Sequence, residues 1–133
     1  MGPSKKERIL LAEDNVDLAE LTQKGLEFLG YDVRIARDGL EAVEITTSEP
    51  PDLIIMDIRL PKMHGLEAVS RIRQNPKTKD IPILAATASA MPGDREKCLA
   101  RGCDDYIAKP FTYKELEAVI KPLLKQSSKK RIT

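Results

Sequence analysis

Carboxylates at Glu13, Asp14 and Asp57, a hydroxyl at Thr87 and an ammonium at Lys109 are the side chains whose types and spacing could do chemistry together. Each closes an apolar run: Ile9-Leu10-Leu11-Ala12, Leu53-Ile54-Ile55-Met56, Ile83-Leu84-Ala85-Ala86 and Tyr106-Ile107-Ala108 respectively. Carboxylates held close repel one another, and the conflict is relieved by protonation or by a cation. Magnesium suits such a set, because it takes carboxylate, carbonyl and water oxygens and typically only one or two protein carboxylates. Asp14 and Asp57 are the expected direct ligands. A carboxylate is also a nucleophile toward phosphorus when a metal and cations offset the charge on the transferring group. Asp57 is the expected phosphoryl acceptor. Thr87 would donate to one phosphoryl oxygen and Lys109 would place its ammonium on another, an electrostatic cradle.

Those residues need a scaffold that brings strand ends together. The four runs read as strands buried on both faces, interior parallel strands or nearly so, whereas Val33-Arg34-Ile35 alternates and suits a second strand near a sheet edge. Helical spacing falls between them. Leu18, Leu21, Phe28 and Leu29 follow Asn15 or Asp17 as cap, and Asp38 with Glu41 and Thr112 with Glu115 have capping-box spacing. Leu66, Val69 and Ile72 mark a helix that Asn75-Pro76 ends; Pro92 suits the first turn of the next, which Gly102 stops. Leu116, Val119, Ile120, Leu123 and Leu124 mark the last, which Pro122 should kink or end near Lys121. The pattern is βα repeated about five times. It predicts an α/β doubly wound parallel sheet with helices on both faces and all strand C-termini along one edge, where such folds bind ligands.

Composition narrows the function. The chain's 133 residues suit one domain, and 22 basic against 21 acidic side chains leave a formal charge of +1, which argues against direct nucleic acid binding or an anionic membrane. The longest apolar run, Leu53 to Met56, is far too short to span a bilayer, and Cys98 and Cys103 match neither a zinc set nor a disulfide framework. A soluble protein of the reducing cytoplasm is expected. Residues 1–7 and 126–133 are polar and basic, so a folded domain over 8–125 flanked by disordered ends is expected.

Taken in order and spacing, the stretches Leu10-Leu11-Ala12-Glu13-Asp14-Asn15, Ile55-Met56-Asp57-Ile58-Arg59-Leu60-Pro61, Ala86-Thr87-Ala88 and Asp105-Tyr106-Ile107-Ala108-Lys109-Pro110-Phe111 resemble the receiver domain of two-component response regulators. The resemblance covers Ile9 to about Lys125. It implies a flavodoxin/CheY-like five-stranded sheet of order 2-1-3-4-5 and phosphorylation of Asp57 by a phosphohistidine on a histidine kinase or a histidine phosphotransfer protein. Magnesium, with manganese as a substitute, would be held by Glu13, Asp14, Asp57 and the backbone carbonyl of Arg59. The Ala88 backbone would join Thr87 and Lys109 around the phosphoryl group, and the Lys109-Pro110 bond would be cis. Thr87 and Tyr106 would switch the surface of the fourth helix, fifth strand and fifth helix for a downstream protein or another domain of a hybrid kinase. The implied protein is not a turnover enzyme. It catalyses only its own phosphorylation and dephosphorylation, as a monomer or a weak phosphorylation-dependent dimer.

The same residues carry departures from the common pattern and leave two rival readings. Glu13 stands where an aspartate is common, and Arg59 and Ser89, two residues beyond Asp57 and Thr87, flank the path of attacking water and would tune aspartyl-phosphate lifetime. A haloacid-dehalogenase-like phosphatase also uses aspartate, hydroxyl, lysine and magnesium, but its second aspartate would fall at position 59, here arginine. A flavodoxin-like nucleotide or flavin carrier would need a phosphate cradle, and Glu13-Asp14-Asn15-Val16-Asp17 is acidic and free of glycine. His64 reads as a solvated loop residue, Met56 and Met63 as packing groups, and Asp104 and Asp105 as turn residues. Cys98 reads as inert, with Cys103 reactive if exposed.

Overall fold

A computed structural model describes residues 6–60, 62–88 and 91–132, with side chains through Gln126. The five repeats are β1 (Arg8–Ala12), α1 (Val16–Phe28), β2 (Asp32–Ala36), α2 (Gly39–Ser48), β3 (Leu53–Asp57), α3 (Gly65–Gln74), β4 (Ile83–Thr87), α4 (Asp94–Ala100), β5 (Asp105–Ala108) and α5 (Tyr113–Ile132). The strands form one parallel sheet in the order β2-β1-β3-β4-β5. Chain direction across the sheet reverses between β1 and β3, and that is where the crevice at the strand C-termini opens.

The period of two in each strand divides the core. Leu10, Ala12, Ile54, Met56, Ile83 and Ala85 pack on one face with Ala42 of α2, Val69 and Ile72 of α3 and Cys98 of α4. Ile9, Leu11, Leu53, Ile55, Leu84 and Ala86 pack on the other with Ala19 and Leu26 of α1 and Leu116 and Ile120 of α5. Each such aliphatic side chain removed from water contributes about 1.5–3 kcal/mol. Register then sets the height of each strand end. Ala12 pairs with Met56, Asp57 with Ala86, and Thr87 with Ala108. Glu13 is therefore level with Asp57, while Thr87 and Lys109 sit one and two residues higher, at about 3.3 Å per residue.

Several of the expected helix starts and stops are observed. Asn15 Oδ1 accepts the Leu18 N–H at 3.0 Å and Asp38 Oδ1 the Glu41 N–H at 2.8 Å, although Glu41 reaches back to the Arg37 N–H rather than to Asp38. Thr112 and Glu115 form the full reciprocal box at 2.9 and 3.1 Å. Gly102, at φ +113°, ends α4, and the Cys103 N–H bonds back to the Cys98 carbonyl at 3.0 Å. That six-residue closure brings the two thiols together as the apolar contact that seals such helix ends.

The structure departs from expectation at several points. Tyr106-Ile107-Ala108 is not interior: β5 is the sheet's second edge, four residues long and only half-buried, because no strand follows it. Pro92 precedes α4, whose cap is Gly93. Pro122 neither ends α5 nor stops it near Lys121; the helix continues to Ile132. Pro122 and Ala118 are both exposed, so the carbonyl that loses its N–H partner faces water, where the loss is cheapest. α5 runs to Ile132, through much of the tail expected from 126. Residues 1–5 and 133 of the expected flexible ends lie outside the described residues. Cys103 is buried with Cys98, not exposed.

Two stability outcomes follow from this core. Thr46 is fully buried on α2, and its hydroxyl has no partner among the described residues. Thr46→Val should raise unfolding free energy by about 1 kcal/mol, read as a melting temperature about 3 °C higher. Burial, with the neighbouring Cys98 adding to it, pushes the Cys103 thiol up from 9.0 to about 12. The folded chain therefore holds a proton that the unfolded chain releases above pH 9. This contribution is complete below pH 9 and is lost as pH rises toward 12, by at most about 1.4 kcal/mol per pH unit. Urea unfolding from pH 8 to 11 should show a shallower alkaline decline for Cys103→Ala than for wild type; equal slopes would contradict it.

Candidate functional site

Asp57 is the last residue of β3 and is 7% exposed, with walls of apolar side chains beneath it. Its Oδ1 accepts the Arg59 N–H at 2.9 Å and its Oδ2 accepts from the Lys109 Nζ at 3.0 Å. Glu13, just past β1, is 3% exposed. Its Oε1 accepts from the same ammonium, and its Oε2 accepts the Asn15 N–H at 3.2 Å, beside the cap of α1. Asp14 is exposed at the mouth, and Glu13, Asp14 and Asp57 each offer an oxygen within 4.8 Å of the others. Lys109 enters from beyond β5, its N–H held by the Thr87 carbonyl at 2.9 Å, and the following Lys109-Pro110 bond is cis as expected. Thr87 itself is fully buried at the end of β4.

The electrostatics are those of a crowded acid pair sharing one cation. Burial raises the Glu13 carboxyl above its usual value even though Lys109 and the Asn15 N–H favour its ionised form. Burial also works against the Lys109 ammonium, but its hydrogen bonds to Glu13 and Asp57 outweigh that and hold its pKa up. Three oxygens of hard, anionic type around one opening fit magnesium: donor type, donor number and reach all agree. Glu13, Asp14 and Asp57 are the side chains able to hold it. The same geometry keeps a nucleophilic carboxylate dry, oriented and next to a cation, which is the arrangement that phosphoryl transfer needs.

The segment after Asp57 is strapped down. Gly65 opens α3 so close to β3 that a Cβ there would lie 2.3 Å from the Asp57 carbonyl oxygen, and its N–H donates to Ile58 O at 3.0 Å. His64 caps α3, its Nδ1 accepting the Leu66 N–H at 3.2 Å. It is exposed, as expected, but the capping role had no signal in the sequence because histidine is a rare cap. Lys62 adopts φ +64° and reaches Asp38 at 3.5 Å, tying the segment to the start of α2. The Arg59 side chain is exposed beside the opening.

On the far side, Tyr106 on β5 packs against the α4 face of the core with its hydroxyl buried and without a partner among the described residues. Burial, then Asp94 and Cys98, raises its phenol. Ala88 is exposed just past Thr87, while Ser89 lies outside the described residues. Asp104 and Asp105 hold local contacts: Asp104 accepts from Arg73 and from the Ile83 N–H, both at 2.8 Å, and Asp105 accepts the Tyr106 N–H at 2.8 Å. Arg73 went unnoticed in the sequence. It donates to the carbonyls of Gly102 at 2.9 Å and Lys79 at 2.8 Å as well, contacts that only the folded chain creates.

Removing the shared cation should expose the conflict it hides. Lys109→Met is expected to lose about 3 kcal/mol of unfolding free energy in magnesium-free buffer, because two buried acids lose their partner. Part of that loss should return when magnesium chloride is added. Urea titrations with and without the salt measure both; an unchanged midpoint would show the acids to be solvated.

Known proteins place this geometry. The family model described as response regulator receiver domain matches residues 9–121. Over 125 residues the chain is 39% identical to a probable transcriptional regulator, ycf27, of Porphyridium aerugineum, covering 94% of this chain and 51% of that protein. It is 48% identical over 116 residues to hybrid signal transduction histidine kinase G of Dictyostelium discoideum, covering 85% of this chain but 3% of that protein. The chain spans about half the length of the first of these relatives and a small part of the second. A sensor-kinase receiver domain from Pseudomonas aeruginosa PAO1, solved with a magnesium ion coordinated in its active-site cleft, is 39% identical with a TM-score of 0.84, covering 90% of this chain and 98% of that one. A CheY-like receiver from Methanospirillum hungatei JF-1 is 29% identical with a TM-score of 0.87, covering 95% and 99%. With its acidic crevice at the β1/β3 reversal and this match along nearly its whole length, the chain belongs to the response regulator receiver domain family of two-component signalling.

Proposed function

We propose that Asp57 accepts a phosphoryl group from a phosphohistidine of a histidine kinase or histidine phosphotransfer protein, and that the acyl phosphate sets the chain's signalling state. The observation that carries this reading is the Asp57 carboxylate itself: buried, anchored by the Arg59 N–H and paired with Lys109. In the forward step an Asp57 oxygen attacks phosphorus, the P–N bond to imidazole breaks, and its electron pair stays on the ring nitrogen. Lys109 then follows the new charge on the phosphoryl oxygens. Hydrolysis is the same displacement by water, which breaks the P–O bond and returns Asp57 as carboxylate.

Glu13, Asp14, Asp57 and the Arg59 carbonyl are the proposed magnesium site, Asp14 directly and Glu13 largely through water, with manganese as a substitute. The ion, when bound, supplies positive charge against the transferring phosphoryl oxygens. The backbone of Ala88 and the Thr87 hydroxyl complete the cradle. Drawing Thr87 toward the phosphoryl group leaves space that Tyr106 takes up, which shifts an existing equilibrium at the α4-β5-α5 surface. Arg59 and Ser89 tune the lifetime. The receiver unit acts as a monomer or weak phosphorylation-dependent dimer in the cytoplasm, hands its signal to a downstream protein or another domain of a hybrid kinase, and makes no direct contact with nucleic acid or membrane. Promotion of its own phosphorylation and dephosphorylation is its whole catalysis; position 59 lacks the second acid that a turnover phosphatase of the rival kind would use.

The donor docks beside α1. An apolar groove of about 430 Å³ runs between α1 and the start of α5, and Lys109 belongs both to its lining and to the acid site. Incubation with acetyl phosphate and magnesium should label wild type but not Asp57→Asn, and amide NMR should move around Thr87, Tyr106 and α4 in wild type only. Labelling that survives Asp57→Asn would sink the assignment. Arg59→Ala should change the dephosphorylation rate several-fold; decay at the wild-type rate would remove Arg59 from the lifetime role.

A further inference from the structure

Gly39, the first residue of α2, is buried on an ordinary helical backbone, so conformational freedom does not call for glycine there. Its neighbour does. A Cβ built on Gly39 would lie 2.0 Å from the Met63 carbonyl oxygen and 2.8 Å from the Met63 carbonyl carbon and Cβ, whereas real Cβ atoms essentially never come within 3.0 Å of such atoms. The missing side chain is a seat, and the Met63 backbone occupies it. Beside it, Lys62 is the one non-glycine residue among the described residues with a left-handed backbone, at φ +64°, and its ammonium lies 3.5 Å from Asp38, the cap of α2. A residue with a Cβ keeps that conformation only where its surroundings impose it.

The seat reaches the phosphoryl site through a short length of chain. Met63 is four residues beyond Arg59, whose N–H is held by Asp57 Oδ1 at 2.9 Å and whose carbonyl belongs to the proposed magnesium site. The return to α3 is fixed as well: the Gly65 N–H donates to the Ile58 carbonyl at 3.0 Å, and Gly65 lies against the Asp57 backbone. Both ends of the segment are therefore tied to β3, and its middle is seated on α2. α2 resists displacement, because Ala42, Ile45 and Thr46 bury its inner face. The segment yields more easily, since Arg59 and Lys62 are exposed. A side chain on Gly39 would push Met63 out by about 1 Å, the gap between 2.0 and 3.0 Å, and carry the Arg59 carbonyl with it.

We infer that Gly39 is a positioning residue for the phosphoryl site: by leaving room for the Met63 backbone it sets the place of the Arg59 carbonyl, and with it the grip on magnesium. This rests on the magnesium and phosphoacceptor readings of Glu13, Asp14 and Asp57 and deepens them. Gly39 touches neither ion nor phosphoryl group. It acts through Met63 and Arg59, and metal sites respond to the loss of such outer supports by roughly ten- to a hundred-fold in affinity.

The test titrates unphosphorylated wild type and variants with magnesium chloride, read by the amide NMR shifts of Glu13, Asp14, Asp57 and Arg59. Gly39→Ala should weaken magnesium affinity by on the order of ten-fold. Labelling by acetyl phosphate should slow to match at limiting magnesium and recover when the ion is saturating. Glu44→Gly weakens the same helix on its exposed face, and Lys62→Asn tolerates the left-handed backbone while removing the exposed ion pair; both should keep magnesium affinity within about two-fold of wild type. If Gly39→Ala gives no dispersed amide spectrum, Met63→Gly frees the same backbone without the collision and carries the same expectation. Wild-type affinity in the folded seat variant, or an equal loss in Glu44→Gly or Lys62→Asn, would overturn the inference while leaving the magnesium site in place. A wild type whose Glu13, Asp14 and Asp57 signals ignore magnesium would overturn the reading beneath it as well.

Discussion

One ammonium shared by two buried carboxylates is the interaction on which the rest depends. Lys109 touches both Glu13 and Asp57, which come from strands adjacent at the reversal of the sheet. Neither acid can retreat into water, because the residues before each of them are packed on both faces. Together with Asp14 the three carboxylates outnumber the ammonium, so the pocket keeps a negative balance. A buried ion pair gains little stability over an apolar packing of the same volume, since desolvation offsets most of the attraction. What it provides here is a site whose charge is deliberately unfinished, ready for a hard cation and then for an anionic group. Burial raises the Glu13 carboxyl in spite of its contact with Lys109, with the Asp57 charge adding only a little.

Placement of that ammonium is a backbone matter before it is a side-chain one. The Lys109 N–H is bonded to the carbonyl of Thr87, and Thr87 pairs in register with Ala108. The end of β5 is thus fixed to the end of β4. The side chain then passes over the end of β4 to Asp57 on β3 and on to Glu13 just past β1. Phosphorylation as proposed would alter the charge at Asp57 and so redirect both Lys109 and the Thr87 hydroxyl, two groups that share this one backbone link. A change in the pocket cannot stay local to it.

Much of this was readable from residue order because the determining signals are local. Four continuous apolar runs ending in polar residues identify strands and their C-termini, and Thr112 with Glu115 or Asp38 with Glu41 start helices by contacts three residues apart. The site residues Glu13, Asp14, Asp57 and Lys109 follow from those runs plus the direction of a parallel sheet. Edge position was harder: Tyr106-Ile107-Ala108 looks as apolar as an inner strand, and its exposure comes only from having no neighbour beyond it. Pro122 misled because it removes one helix hydrogen bond without ending the helix: Pro122 and Ala118 are exposed, so water can satisfy the carbonyl left over. Arg73, His64 and the fit of the Met63 backbone on Gly39 had no legible signal at all. Each depends on parts of the chain, or on a rare cap geometry, that meet only after folding.

The helix next to the proposed switch is held unevenly, and this gives the surface its direction of response. At the C-terminal end of α4, Arg73 grips the Gly102 carbonyl, the Cys103 N–H returns to Cys98, and the two thiols are buried against α3 and β4. At the other end Gly93 supplies no side-chain cap, and Cys98 is the one buried residue of the helix. Local opening costs least where few apolar contacts and caps must be broken, so the N-terminal end of α4 yields before the C-terminal end does. The buried Tyr106 hydroxyl, without a partner among the described residues, lies on the strand that leads into Lys109. A polar group left without a partner is a standing cost that a rearrangement can relieve. The fold therefore pairs an anchor at Arg73 with a less firmly capped end of α4, and the Thr87 shift proposed above would act on the second rather than the first.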